Sequence, residues 1–223
     1  MRKFRDTKNK NIQIKKKPEF TKQLVSKNIF VLNYSSHQKM CNAVMRFLST
    51  VDIFPHLSEP MSLAAFKREY KKKYGSFSFT KDWDGFVVPG HAFAAFDKGN
   101  WDPLSKQEKL LLKSFKNQKD YNFAVIAISS KSSPTTLKHE MAHALFEVNP
   151  DYKNEVLRLI NTVDLRPVFK ILKSHGYEEC TIHDEAHAYL MNNLSWLESE
   201  GLRNIRSYYE VCAKLNYLFE KYI

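Results

Sequence analysis

The segment from Thr136 to Phe146 constrains this chain more than any other, because it contains His139-Glu140-Met141-Ala142-His143. In a helix, two histidines four residues apart can bind one Zn²⁺ ion, and the glutamate next to the first can act as a general base. With eight His and fourteen Glu in 223 residues, on the order of 0.02 such matches are expected by chance. The motif is therefore moderately specific, and its context must support it.

The flanking residues predict that this segment is helical. Ser133-Pro134 is a helix start signal, and Asn149-Pro150 is a stop signal. The β-branched, apolar residues 123–128 upstream of the motif predict a buried strand. The chain is thus expected to run from a strand, through a polar loop, into the helix that carries the two histidines.

The two histidines avoid the apolar face of the predicted helix. At 100° per residue, the apolar side chains fall within a stripe of about 100°. This stripe consists of Leu137, Met141, Ala144, Leu145 and Val148. His139 and His143 lie on the opposite side, which argues against ordinary core histidines. Small Ala142 and apolar Phe146 share that side, which argues against a solvated face, so a second element is expected to pack there.

The hydrophobic pattern of the whole chain predicts an α+β fold, with a small, mainly N-terminal mixed sheet and a mainly helical C-terminal half. A first strand is predicted at 28–34, and strand or hairpin segments at 77–88 around a turn at 82–85. Further helices are predicted at 37–51, 61–74, 103–119, 152–163, 167–174, 181–197 and 202–219. The pattern predicts a loop at 55–60 and is ambiguous at 91–96. Thr181 with Asp184 resembles a capping box in which Asp replaces Glu or Gln.

Charge divides the chain into a basic tail and a nearly neutral body. The net charge is +11, and residues 1–17 carry eight Lys and Arg against a single Asp. A second basic patch lies at 67–73, and the remaining residues balance. We therefore expect a disordered basic tail at 1–20 and one domain at 21–223. The tail is the only region expected to touch nucleic acid or an anionic surface, although a plain solvated terminus has the same composition.

Three further features concern where the chain works. No apolar run is long enough to span a membrane, and no signal-peptide pattern stands near residue 1. Cys41, Cys180 and Cys212 are an odd number without close spacing, which predicts free thiols in a reducing compartment. We expect a cytoplasmic or otherwise intracellular protein, with delivery into another cell by a route without a classical signal peptide as the alternative. The sequence does not specify an oligomeric state.

A catalytic zinc site needs three protein ligands and one open position, so the third ligand must come from outside the motif. Glu185 is the favoured candidate because it lies in the first turns of a predicted helix. Its small neighbours Ala186 and Ala188 would let that helix approach the first one closely. The other carboxylates considered are Glu155, Asp164, Glu178 and Glu179. His183 and His187, also four residues apart, are considered as a second metal pair.

With Glu185 as the third ligand, residues 121–195 resemble the gluzincin zinc metallopeptidases and, more loosely, the catalytic domain of anthrax lethal factor. In those proteins the ligand glutamate also lies in a later helix with acidic, aromatic and alanine residues, here residues 184–190, Asp-Glu-Ala-His-Ala-Tyr-Leu. Phe146 and Asn149 exclude the metzincin pattern, which has Gly and His at those positions. The resemblance implies a zincin-like fold and one Zn²⁺ ion as cofactor.

The resemblance also implies roles for the site residues. His139, His143 and Glu185 would hold the zinc, and Glu140 would act as the general base. A tyrosine shortly before the ligand glutamate stabilises the oxyanion in such proteins. Tyr177 matches that position, although a packing role for Tyr177 remains open, and His175 is the substitute.

The sequence therefore favours a zinc-dependent metalloendopeptidase that acts on a protein or peptide substrate. Two alternatives remain open at this point. One is a metallopeptidase that acts on nucleic-acid-bound proteins and uses the basic tail as an anchor. The other is a non-catalytic binding or adaptor module in which the motif is accidental or has lost its metal.

Overall fold

The computed structural model describes residues 18–54, 61–99, 101, 103–118 and 120–223. Its described residues form a mixed four-stranded sheet in the order β1-β2-β4-β3. The strands are β1 (Phe20–Ser26), β2 (Ile29–Tyr34), β3 (Gly85–Pro89) and β4 (Ala124–Ser129). β2 and β4 are parallel, whereas β1 and β3 run antiparallel to their neighbours at the two edges. The predicted basic tail up to residue 17 and the predicted loop 55–60 lie outside the described residues.

Helices cover both faces of this sheet within the described part of the chain. Five precede β4 in sequence: α1 (His37–Val44), α2 (Leu63–Tyr74), α3 (Phe79–Asp82), α4 (Gly90–Asp97) and α5 (Lys106–Phe115). Six follow it: α6 (Pro134–Val148), α7 (Pro150–Ile160), α8 (Arg166–Ser174), α9 (Ile182–Asn192), α10 (Leu194–Ser199) and α11 (Tyr209–Tyr222). A π-helical turn at Ser49–Ile53 and a 3₁₀ turn at Ile205–Tyr208 complete the helical segments. The α+β class and the small mixed sheet agree with the expectation.

The central strands β2 and β4 are buried on both faces, which explains their nearly continuous apolar sequences. Alternate residues such as Ile29 and Ile126 point towards α6, α7, α9 and α11. The intervening residues, such as Leu32 and Val125, point towards α1, α2, α4 and α5. The sheet is thus the middle layer of three. Helix α6, which carries the two histidines, packs on the same face of the sheet as α7, α9 and α11.

Several predicted elements differ from the structure. Strand β1 was not predicted because it is an exposed edge strand, in which Leu24 remains 60% exposed. It begins at Phe20, inside the predicted tail of residues 1–20. The first helix ends as an α-helix at Val44 and not at 51. Of residues 77–88, predicted as strand or hairpin, Phe79–Asp82 form helix α3, and the part from Gly85 is strand β3 as predicted. The ambiguous segment 91–96 lies in helix α4.

The helix predicted at 181–197 is interrupted. Helix α9 ends at Asn192, and Asn193 has φ −130° and ψ 32°, so α10 starts in a new direction. The capping box predicted at Thr181 is wrong: the Thr181 side chain makes no cap hydrogen bond, and its hydroxyl donates to the carbonyl of Glu178. The last helix also begins later than predicted, after the 3₁₀ turn.

None of the described helices combines the length and apolar character needed to span a lipid bilayer. The three cysteines are free thiols, as the sequence predicted. Burial raises the pKa of the Cys41 thiol to about 12 and that of Cys212 to about 11, so both are protonated at neutral pH.

A buried ion pair joins the segment that follows α1 to helix α5. Arg46, 2% exposed, donates to both carboxylate oxygens of Glu108, each at 2.6 Å. Its remaining N–H groups donate to the backbone carbonyls of Met61, Trp101 and Pro103. Because the guanidinium and the carboxylate satisfy one another, removal of one partner leaves an uncompensated buried charge.

We therefore expect Glu108→Ala to lower the free energy of unfolding by about 3–5 kcal/mol. Urea denaturation followed by circular dichroism measures this change. Arg68→Ala is the matched control, because Arg68 pairs with Glu69 at the surface with 72% of its side chain exposed. That change is expected to cost less than about 0.5 kcal/mol. Equal effects of the two substitutions would contradict a structural role for the buried pair.

Candidate metal centre

Two features determine how helix α6 orients the motif. Its capped N-terminus fixes the residue at which the helix begins, and its apolar face packs against the sheet. The Ser133 hydroxyl accepts a hydrogen bond from the Thr136 backbone N–H at 3.0 Å, and Pro134 occupies the first turn. Met141, Ala144 and Leu145 are buried against the sheet. The two histidines consequently face away from the sheet, as the helical spacing predicted.

Helix α9 packs across the histidine face of α6. Ala142 of α6 and Ala186 and Ala188 of α9 are all fully buried. These small side chains let the two helices approach closely enough for Glu185 to reach the histidines. The structure therefore brings together the three residues that the sequence predicted as metal ligands.

The three side chains converge on one point. The Nε2 atoms of His139 and His143 are 3.1 Å apart, and Glu185 Oε2 lies 3.6 Å from His143 Nε2 and 4.0 Å from His139 Nε2. Two ligands bound to one zinc at about 2.1 Å cannot be more than about 4.2 Å apart. All three separations satisfy that limit, so His139, His143 and Glu185 can hold a metal ion.

Polar contacts at the Nδ1 atoms of the two histidines orient their Nε2 atoms towards this point. His139 Nδ1 lies 3.2 Å from Asn193 Oδ1, and His143 Nδ1 lies 3.0 Å from Asp184 Oδ1. Both oxygens are acceptors, so each Nδ1 carries a proton, and a neutral imidazole in that tautomer has its lone pair on Nε2. The two Nε2 atoms and the Glu185 carboxylate can therefore hold a cation between them, either a proton on His143 Nε2 that is donated to His139 Nε2 at 3.1 Å, or a metal ion.

A buried chain of polar contacts extends behind His143. Asp184 Oδ1 is also 3.2 Å from His187 Nδ1, and His187 Nε2 is 3.4 Å from the Tyr152 hydroxyl. His187 is fully buried and stacks on Phe146 with ring centroids 5.0 Å apart. Its two nitrogens are therefore engaged within the core and do not face the cleft.

This chain of contacts excludes the second metal pair considered from the sequence. His183, its supposed partner, is exposed and packs edge-on against Phe169 at 4.9 Å. The two side chains thus point to different surroundings. Asp184, which resembled a capping residue, instead contacts a predicted metal ligand.

The ionisable groups are shifted in different directions. Burial and the neighbouring His143 lower the pKa of His139 to about 3, so its imidazole is neutral. Burial also opposes the charged form of His143, but Asp184 and Glu185 outweigh it and raise the pKa of His143 well above its usual value. For Asp184, burial raises the pKa, but His143 and His187 outweigh it and hold the pKa well below its usual range. The carboxylates of Asp184 and Glu185 thus favour a positive charge at this buried site.

Glu140 lies beside this cluster, facing β3. A Cβ atom added to Gly85 would lie 2.9 Å from Glu140 Cγ and 3.0 Å from Glu140 Oε1. Because Gly85 has no side chain, the Glu140 side chain fits next to the edge strand β3. A general base has to lie next to the metal without binding it, and Glu140 is outside the three-residue cluster.

Tyr177 lies in the segment between α8 and α9 and lines the same cleft. Its hydroxyl is 2.9 Å from that of Tyr189, whose ring packs edge-on against His139 with centroids 5.0 Å apart. Burial raises the pKa of Tyr189 to about 12, so it is a hydrogen-bond donor at neutral pH. His175, the substitute for Tyr177, is engaged with Glu200 at 2.9 Å.

The other carboxylates considered as ligands lie elsewhere and pair with basic residues. The pairs are Glu155 with Lys221, Asp164 with Arg166, Glu178 with Lys73, and Glu179 with Lys173. Among the described residues, only the cluster of His139, His143 and Glu185 has three metal-binding groups close together.

Sequence reasoning missed two residues that support the ligands. Asn193 contacts His139, but its position depends on the break between α9 and α10, for which we found no sequence signal. Tyr189 was noted only as the aromatic residue of the segment 184–190 and was given no role in the site, although it stands four residues after Glu185. That helical spacing could have identified it as part of the site.

Comparison of the chain with protein-family models, curated proteins and solved structures finds no match. The geometry of the site is therefore the basis for any functional conclusion.

The contact between Asp184 and His143 leads to a prediction about metal affinity. Asp184→Asn should weaken zinc binding by about 10–100-fold, because it removes the negative charge that orients and polarises the His143 imidazole. Competition with a chromophoric chelator measures the affinity. Asp151→Asn is the control, because Asp151 is an exposed acid in the first turn of α7. An unchanged affinity in Asp184→Asn would show that the contact has no influence on the site.

Proposed function

We propose that this chain is a zinc-dependent metalloendopeptidase with a zincin-like fold and a gluzincin set of ligands. One observation carries the proposal: His139 Nε2, His143 Nε2 and Glu185 Oε2 converge within 4.0 Å of one another beside an open cleft. The spacing, tautomers and donor types suit Zn²⁺, which binds imidazole nitrogen and carboxylate oxygen.

When bound, Zn²⁺ supplies a water that is reactive near neutral pH and polarises the carbonyl of the scissile bond. Glu140 takes the proton of the attacking water on its carboxylate and delivers it to the leaving amine nitrogen. Asn193 and Asp184 keep His139 and His143 in the tautomer that leaves Nε2 free of a proton. The paired hydroxyls of Tyr177 and Tyr189 provide a donor for the negative charge that develops on the carbonyl oxygen.

The shape of the cleft supports a peptide substrate. It has a volume of about 940 Å³ and is lined by β3, α6 and α9. Strand β3 is at the edge of the sheet formed by the described strands. The backbone groups along its outer side can pair with an extended peptide, a common mode of peptide recognition. A peptide bound there would pass in front of Glu140, because Gly85 of β3 adjoins that side chain.

The proposal predicts that metal binding and catalysis can be separated at Glu140. Glu140→Gln should retain zinc but lower peptide hydrolysis by at least about 100-fold, because it removes proton transfer and keeps the ligands. Zinc content by mass spectrometry and cleavage of a mixed peptide library measure the two effects.

Glu147→Gln is the control for this prediction. Glu147 is on the same helix and lines the cleft, but it pairs with His91 at 3.2 Å. Hydrolysis within tenfold of wild type in Glu140→Gln would mean that Glu140 is not the base.

A further inference from the structure

One wall of the cleft is a continuous run of aromatic rings that begins at the metal centre. The ring of Tyr189 lies 5.0 Å from that of His139. Trp196 packs against Tyr189 at 4.6 Å, and Tyr177 lies edge-on to Tyr189 at 6.0 Å. Trp83 continues the wall, edge-on to Tyr177 at 6.3 Å. We call these four residues, Trp83, Tyr177, Tyr189 and Trp196, the aromatic wall.

The aromatic wall is fixed from behind but remains partly exposed. Trp83 Nε1 donates to the hydroxyl of Tyr70 at 3.1 Å, and that hydroxyl donates to Asp82 at 2.7 Å. Trp196 is supported by His175, with ring centroids 4.9 Å apart. Each member of the wall is only partly buried and lines the cleft. Rigid, half-exposed rings next to a reaction centre form a binding surface at a low entropic cost.

The two ends of the cleft differ in character. Asn192, which lies between Tyr189 and Trp196 in the sequence, donates through Nδ2 to the Thr135 carbonyl at 2.7 Å. These two members of the aromatic wall therefore lie beside the start of α6. Near the end of α6, Glu147 pairs with His91, and the Lys153 ammonium lies 4.6 Å from the centre of the Phe146 ring. The aromatic end is thus distinct from the charged end, with the metal centre between them.

The chemistry of the aromatic wall favours an uncharged occupant. An aromatic surface can also bind a cation, but such a site needs a free carboxylate or a strongly desolvated ring face. Two carboxylates at this end are engaged, Asp82 with Tyr70 and Ser78, and Glu200 with His175. Asp84, next to Trp83 in sequence, is an exposed carboxylate that also lines the cleft. An apolar or aromatic side chain would gain ring contacts without leaving a charge unpaired.

We propose that the aromatic wall is a specificity subsite for an aromatic or large apolar side chain adjacent to the scissile bond. This inference rests on the proposed function. Successive residues of an extended peptide are separated by about 3.3 Å, and the wall begins 5.0 Å from the ring of a metal ligand. The side chain next to the cleaved bond would therefore lie against Tyr189 and Trp196.

Amino-acid hydroxamates test the subsite, because they bind zinc and carry one side chain beside the chelating group. Calorimetry on the zinc-loaded protein should show L-phenylalanine hydroxamate binding at least tenfold more tightly than glycine hydroxamate. In Trp196→Ala this preference should fall below threefold, with zinc content and melting temperature unchanged. If Trp196→Ala does not fold, Trp196→Leu, which keeps an apolar side chain, is measured in its place. Lys153→Ala, at the charged end, should keep the full preference.

The outcomes separate the subsite from the proposed function. Equal affinities for the two hydroxamates in a zinc-binding wild type would overturn the subsite alone. Tighter binding of L-lysine hydroxamate than of the phenylalanine compound would also overturn it, in favour of a cation site. A folded wild type that holds no zinc would overturn the proposed function and this inference together.

Discussion

The close approach of three electron-rich atoms is the constraint on which the rest of the site depends. The Nε2 atoms of His139 and His143 are only 3.1 Å apart, and two unprotonated nitrogens beside the Glu185 carboxylate repel one another unless a proton on His143 or a metal ion lies between them. Such an arrangement persists because surrounding groups hold each side chain in place. The packing of α6 against α9 provides the first restraint, and the contacts of the Nδ1 atoms with Asn193 and Asp184 provide the second.

Those polar contacts give a function to features that otherwise look irregular. Asn193 breaks the helix that would have continued from α9, and its side chain accepts the hydrogen bond of His139. His187 is a fully buried histidine, which is costly unless both nitrogens find partners, and it contacts Asp184 and Tyr152. The helix break and the buried histidine therefore both support the orientation of a predicted ligand.

The sequence predicted the parts of the structure that local chemistry determines. Ser133 and Pro134 fix the start of α6, and helical periodicity alone separates its histidines from its apolar stripe. Glu185 was identified because small neighbours allow close helix packing, and Ala186 and Ala188 are both fully buried. These are short-range rules, so one sequence is enough to apply them.

The sequence did not predict features that depend on long-range partners. Strand β1 has an exposed polar face, and pairing with β2 determines its conformation. The contact of Asp184 with His143 joins two helices, so the capping interpretation of Asp184 considered only its local neighbours. The room that Gly85 leaves for Glu140 depends on the packing of β3 beside α6.

The most direct test of this account is the zinc content of the purified chain, measured by mass spectrometry after dialysis against metal-free buffer. We expect one zinc per wild-type chain, and its loss from Glu185→Ala in a protein that stays folded. Glu155→Ala is the matched control and should retain the metal, since Glu155 pairs with Lys221 on another surface. A folded wild type without zinc, or a Glu185→Ala variant that binds zinc as tightly as wild type, would contradict the account.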